Sequence, residues 1–394
     1  MSRGCMEKDI LSRGMEKIVG GELLEKKLKS GKALRIKHGV DPTTADLHLG
    51  HSVIYLKLKE FQKLGHKIVF LIGDFTGRFG DPSDKIKSRI LRSKEEVRKV
   101  ARNYINQVGK IIDVEKAEIR YNGEWYDKMS AEDLLHLMSK VSHAEMIERD
   151  MFQERMKKGE RIGLHELIYP VLQGYDSAIL HSDLTVCGSD QLFNELQGRK
   201  SQELSGQEPQ AIITVPLLIG IDGRNKMSQS LGNHISLGEF ASEQFGKIMS
   251  IPDNLIIDYL TLCTRIPMAK IELWEKEMKA GRNPKEIKVN LAKEIVGIYH
   301  KKEEAEKAAK EFEQVFQKKE LPDNILEIKL SGTYPLPRFL VEAGLASSGS
   351  EARRLIEAGA VEIDGAKCGD YKSTITTHSG MVIKVGKRRF AKIK

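Results

Sequence analysis

The stretch from residue 34 to residue 73 constrains the fold of this chain more than any other. Residues 34–40, LRIKHGV, alternate as a strand does, and the DPTT that follows at 41–44 breaks the pattern. From Asp46 a helix is expected, with Leu49, Val53, Leu56 and Leu64 recurring on one face and Gly65 as its stop. The next run, IVFLIG at 68–73, is short, β-rich and apolar on both faces, as buried parallel strands are. Strand, helix and strand in so short a span form a βαβ unit, which implies an α/β sheet.

A further apolar strand is expected at Ala211–Ile221, closing a first domain, Rossmann-like, at 1–235. Between them, residues 93–165 read as mostly helical and highly charged, which suits an insertion or a subunit interface. Residues 236–322 read as a helical domain, in which Leu291, Ile295 and Ile298, then Ala305, Ala308, Phe312 and Val315, fall at helical spacing and are expected in a core. LPDN at 321–324 and SGT at 331–333 punctuate a linker to a small basic α+β unit at 334–394. Two or three domains fit the 394 residues.

Four cysteines, Cys5, Cys187, Cys263 and Cys368, stand far apart with no C-x-x-C pair, so neither a thiolate zinc site nor a redox dithiol is written locally. A reducing cytoplasm is the expected location. The apolar run at 211–221 is interrupted by Thr214 and Pro216 and falls short of the roughly 20 residues that span a bilayer. The opening MSRGCMEK has no apolar core, so neither a membrane span nor a secretory leader is expected. The net charge of +8 is unevenly placed: residues 334–394 carry eleven basic side chains against six acidic. Such a concentration is what polyanion binding requires, and a solvated basic face would look the same.

Two motifs carry chemistry. His48-Leu49-Gly50-His51 falls where the first strand hands over to the first helix. Side chains three apart share a helix face, so both imidazoles can point out over the carboxyl end of the sheet. The first helical turn favours a phosphate, and Gly50 would let a flat base come close to the backbone. A zinc pair would more usually be spaced i, i+4 with further ligands nearby, and none is apparent. Far downstream, IGIDGRNKMSQS at 219–230 puts Lys226, Met227 and Ser228 in a glycine-bounded loop that could close over a polyphosphate as charge builds. A basic surface turn is the plainer reading of that loop when it is taken alone.

Taken in order, H-x-G-H after the first strand and K-M-S-x-S after the last resemble the signature pair of class I aminoacyl-tRNA synthetases. GVDPT at 39–43, GDP at 80–82, YPVLQGYD at 169–176 and GSDQ at 188–191 resemble, more narrowly, the bacterial tyrosyl-tRNA synthetases. GLASS at 344–348, SEARRLI at 350–356 and VEIDG at 361–365 resemble an S4-type RNA-binding domain. The resemblance runs from about residue 30 to the end.

It implies that the tyrosine carboxylate attacks the α-phosphate of ATP, with magnesium accompanying the nucleotide, and that the tyrosyl group then passes to tRNA(Tyr). Thr43, His48 and Lys226 would contact the departing phosphates, with Met227 and Ser228 completing the loop. His51 and Gly50 would lie along the nucleotide, Asp41 near the adenylate, and Gly188 and Asp190 at the ribose. Asp176 would accept from the phenol hydroxyl, Asp81, Tyr169 and Gln173 would surround the amino nitrogen, and Gln191 would sit alongside. No protein ligand to a metal is assigned. Asp41 and Thr43 would equally suit a helix-capping turn, and Tyr169, Gln173 and Asp176, at spacings of four and three, an ordinary polar stripe. The helical domain would meet the anticodon, the insertion near 120–165 would pair two subunits, and Arg353 and Arg354 would hold RNA from a short helix capped by Ser350 and stopped by Gly359.

Two positions depart from the family. Lys37 stands where its best-known form has a tyrosine that reaches the substrate hydroxyl, and Gln229 replaces the second lysine of the loop. An RNA-binding paralogue without amino-acid activation, or a nucleotidylyltransferase, would share parts of this pattern.

Overall fold

Five short segments pair in parallel, the inner ones rich in β-branched residues and covered on both faces. In the computed structural model, which describes residues 10–42, 46–80, 93–317, 326–386 and 389–394, they are β2 (Arg35–Val40), β3 (Lys67–Ile72), β4 (Glu118–Tyr121), β5 (Leu184–Gly188) and β6 (Ala211–Val215). β1 (Lys17–Val19) adds an antiparallel edge, and the order across the sheet is β1-β6-β5-β2-β3-β4. Every residue of β5 and β6 is buried, as are Ile68 to Ile72 of β3. This is the α/β class read from the sequence.

The order of strands positions the site. The chain builds outward from β2 through β3 to β4, then returns to lay β5 against the other side of β2. In a parallel sheet, a ligand crevice opens at the carboxyl ends of two such neighbouring strands. Here those ends are Asp41, after β2, and Ser189 with Asp190, after β5. Helix α1 (Leu49–Lys63) crosses from β2 to β3 and buries Leu49, Val53, Tyr55, Leu56, Leu58 and Phe61.

Three expectations change. The strand at 211–221 ends at Val215, because Pro216 offers no N–H to continue the ladder. The helical insertion at 93–165 is interrupted by β4, so α2 (Lys94–Val108) is a crossover that returns the chain to the sheet. β4 sits at the sheet edge and reads as polar because its charges are paired: Glu118 with Arg35 at 2.9 Å and Arg120 with Glu124 at 2.7 Å. The C-terminal helix Gly349–Glu357 is capped by Ser348, whose side chain accepts from the Glu351 N–H, and Ser350 lies inside it. It ends ahead of Gly359, as expected.

Two compact units divide the chain, Met1–Glu239 with Ser250–Tyr299, and Phe240–Met249 with His300–Lys394. The residues read as one helical domain are thus shared between them, with helices Ile256–Cys263, Met268–Lys279 and Pro284–Tyr299 in the first unit. Buried Arg13 helps hold that part, donating to the carbonyls of Leu260, Thr261, Thr264 and Ile266. In the second unit, Phe245 packs 5.5 Å from Phe312, and a five-stranded sheet and two helices share a core of Leu336, Phe339, Leu340, Ile356, Val361 and Ile383. No helix among the described residues is long and apolar enough to cross a membrane.

Candidate active site

At the carboxyl end of β2 the carboxylate of Asp41 accepts from Tyr169 Oη at 2.9 Å and from Thr76 Oγ1 at 2.7 Å. It can lie there only because residue 73 is glycine: a Cβ on Gly73 would stand 1.8 Å from Asp41 Oδ1. Asn122, just past β4, donates to Thr76 Oγ1 at 2.9 Å, and its neighbour Trp125 donates through Nε1 to Asp176 Oδ1 at 3.0 Å. Tyr169, Gln173 and Asp176 share one face of α3 (Leu164–Ile179). The polar stripe read from spacing therefore faces the crevice. Burial pushes Asp176 up to about 7, against the pull of the Lys37 charge and of donors from Tyr126, Trp125 and Asn122.

Across the crevice, α4 (Leu192–Leu204) follows the 3-10 turn Ser189–Gln191 that leaves β5. Asn194 Nδ2 donates to Gln173 Oε1 at 2.9 Å and to Gln191 Oε1 at 3.0 Å, joining two of the expected residues. Gly188 ends β5 and Asp190 lies 3.4 Å from Lys226 Nζ. Thr43 and Asp81 fall outside the described residues.

His48 is the N-cap of α1, and its N–H donates to His51 Nδ1 at 3.3 Å, with ring centroids 3.9 Å apart. Burial, then the positive potential of His51, His234 and Lys226, lowers His48 to about 2. Burial, with His38, His234 and Lys226, lowers His51 to about 4. Both rings are neutral at pH 7, and His51, accepting at Nδ1, carries its hydrogen on Nε2. The pair thus offers neutral hydrogen bonds, and Lys226 supplies the cation. His48 Nδ1 is buried with no partner among the described residues, as suits a group that waits for a ligand. The space a Gly50 side chain would need is filled by the His48 ring, at 3.0 Å, and by Met227, at 3.6 Å, so this glycine admits protein atoms.

The downstream loop reaches this helix start. Met227 is buried and its N–H donates to Leu218 O at 2.7 Å. Buried Asn233 staples the turn, accepting from the Ser228 N–H at 2.8 Å and donating to Lys226 O at 3.1 Å. Gln229 Nε2 donates to Asp46 O at 2.7 Å, two residues before His48.

Residues 29–317 match the family described as tRNA synthetases class I (W and Y), and residues 335–383 match the S4 domain. The tyrosine–tRNA ligases of Francisella tularensis and Thermotoga maritima are 48% and 47% identical to the chain over 385 residues. Both alignments cover 98% of this chain, with 97% and 96% of the respective relatives. The chain belongs to the tyrosyl-tRNA synthetase family. Solved structures of the C-terminally truncated Aspergillus nidulans mitochondrial enzyme and of the Archaeoglobus fulgidus enzyme share the synthetase fold, with TM-scores of 0.66 and 0.61 at 22% and 23% identity. They cover 79% and 78% of this chain, which spans 94% and 100% of theirs.

Several side chains of this synthetase's site carry no sequence signal of their own. Asn122 and Trp125 follow a strand whose polar composition hides it, and Asn233 lies in an irregular loop. Glu195, on α4 four residues after its N-cap Gln191, shares that residue's helical face, a relation that spacing alone gives. It pairs with Lys37 at 2.8 Å. In the S4 unit, Arg353 and Arg354 are exposed, and the Arg353 guanidinium lies 5.7 Å from the Tyr371 ring centroid.

Proposed function

We propose that this synthetase activates L-tyrosine with ATP and transfers the tyrosyl group to the 3′ end of tRNA(Tyr), using the residues gathered at the β2–β5 switch point. What supports the reading is a buried carboxylate, Asp176, beside the Asn122–Thr76–Asp41 chain at the end of β2, together with a neutral histidine pair at the start of α1 and the lysine-bearing loop that reaches Asp190 after β5. A carboxylate oxygen of tyrosine attacks the α-phosphorus, the bond to the bridging oxygen breaks, and pyrophosphate leaves. A hydroxyl of the terminal ribose then attacks the tyrosyl carbonyl, and AMP leaves. No enzyme nucleophile is needed, so catalysis is positioning plus stabilisation of the charge that develops on pyrophosphate.

In this reading His48, Thr43 and Lys226 meet the departing phosphates, with Met227 and Ser228 in the closing loop. His51 and Gly50 line the nucleotide, Asp41 lies by the adenylate, and Gly188 and Asp190 hold the ribose. Asp176 accepts from the phenol hydroxyl, and Asp81, Tyr169, Gln173 and Gln191 surround the amino group. Magnesium would accompany the phosphates of ATP and offset their charge, while Asp41 and Asp190 pair with Tyr169, Thr76 and Lys226. Arg353 and Arg354 hold tRNA phosphates. The enzyme acts in the cytoplasm as a homodimer, and the exposed Leu135, Met156 and Leu164 of the helical insertion support a subunit interface there.

ATP–pyrophosphate exchange with each amino acid in turn tests the reaction. Exchange that depends on tyrosine is expected. Exchange with another amino acid, or none, overturns the proposal.

A further inference from the structure

Lys37 sits mid-strand in β2, between two parallel neighbours, where an apolar side chain would ordinarily be found. It is 1% exposed. Its Nζ donates to Ser177 Oγ at 2.7 Å and lies 2.8 Å from Glu195 Oε2, which is likewise buried. Glu195 accepts through Oε1 from Gln173 Nε2 at 2.9 Å, and through Oε2 from Gln210 Nε2 at 3.0 Å. Gln173 is therefore gripped at both ends of its amide, by Glu195 and by Asn194. One helical turn on stands Asp176, the residue before the Ser177 that accepts from Lys37, and the nearby Lys37 charge pulls its acidity down against burial.

A buried ion pair is costly to desolvate, and apolar replacements of similar volume often fold as well or better, so stability alone is a poor reason to keep one on a central strand. The tyrosine expected at position 37 would contact a substrate hydroxyl, whereas Lys37 is turned toward Glu195 and Ser177. We propose that the Lys37–Glu195 pair is a positioning device for selecting an amino acid with a para-hydroxyl group: Glu195 fixes Gln173, and Lys37 holds Asp176 as the carboxylate that accepts from that hydroxyl. The inference rests on the reading of Asp176 as the hydroxyl acceptor. Among the described residues, Tyr126 is the other titratable group that acts on Asp176, with Tyr175 beside both, while Cys187 on β5 faces Lys37 and Glu195.

The test is tyrosine- and phenylalanine-dependent ATP–pyrophosphate exchange by the full-length enzyme across pH 5.5 to 8.5. The acid limb of kcat/KM reports groups of the free enzyme. Lys37→Met is expected to move that limb up by roughly one pH unit, as loss of a neighbouring opposite charge does, to raise KM for tyrosine more than it lowers kcat, and to reduce discrimination against phenylalanine. Glu195→Gln leaves the lysine charge uncompensated and is expected to move the limb down. A merely structural pair would shift both variants the same way or leave the limb in place, and either result overturns the proposal. Should Lys37→Met fail to fold, the downward shift in Glu195→Gln decides alone. Asp176→Asn separates the layers. If it keeps tyrosine selectivity, the reading of the pocket falls; if it loses selectivity while the other two variants leave the limb unmoved, only the role of the pair falls.

Discussion

Asp176 shows what a polar site costs the residue that serves it. Its acidity is pushed to about 7 chiefly by burial, so between roughly pH 4 and 7 the folded chain keeps a proton that the unfolded chain has released. The stability from that proton is present below the unfolded pKa and is lost as pH rises through about 7. Asp176→Asn is therefore expected to stabilise the fold at pH 8, by on the order of 2 kcal/mol, and much less at pH 5. Tyrosine-dependent exchange should fall by about a hundredfold, since the amide cannot replace the carboxylate as acceptor. Calorimetry at the two pH values checks the first part, and equal shifts would contradict it. His48 and His51 run the other way. Their depressed values mean that the folded state favours neutral rings, a contribution complete above pH 6.5 and lost as the medium is acidified toward 4.

At the scale of elements, the downstream loop is held at three points: Met227 to Leu218, Asn233 to the turn, and Gln229 to Asp46. Gln229 thus fastens the loop near α1 without adding a charge. Gln229→Lys, which can donate to the same carbonyl and adds a cation beside the departing phosphates, is expected to speed adenylate formation by about tenfold in a pre-steady-state measurement. An unchanged rate would count against a clamp role for this position. The loop was visible in the sequence because lysine and hydroxyls stood between glycines; its staple, Asn233, was not, since a buried asparagine in irregular chain obeys no period. The sheet was legible in the same uneven way. β2 and β3 announced themselves by alternation and by an unbroken apolar run, whereas β4, at the edge, wears paired charges, and β1 has only three residues. In the S4 helix the cap is Ser348, two residues before the expected Ser350, because the two serines are equally good caps by type and only the backbone turn chooses.

Taken as a whole molecule, the chain spends its positive charge unevenly, and the structure sharpens where. In the S4 unit Arg338, Lys384, Arg389 and Lys394 are paired with Glu342, Glu362, Glu351 and Glu327. Arg353 and Arg354 have no acidic partner among the described residues. Replacing both by alanine is expected to weaken tRNA charging, measured as a ratio to tRNA-independent exchange, and to reduce the salt slope of tRNA binding by about two. An unaltered slope would place the RNA elsewhere. The seam between β2 and β5 has one more consequence. Thr185 lies 148 residues after its β2 partner Lys37, so at a synthesis rate of about 5 to 20 residues per second the inner edge of β2 waits roughly 7 to 30 s for its neighbour. During that interval the nascent chain presents an open strand edge with a lysine on it, a type of residue that discourages wrong pairing. The crevice therefore comes into being only about midway through the chain's own synthesis, when its central strands meet.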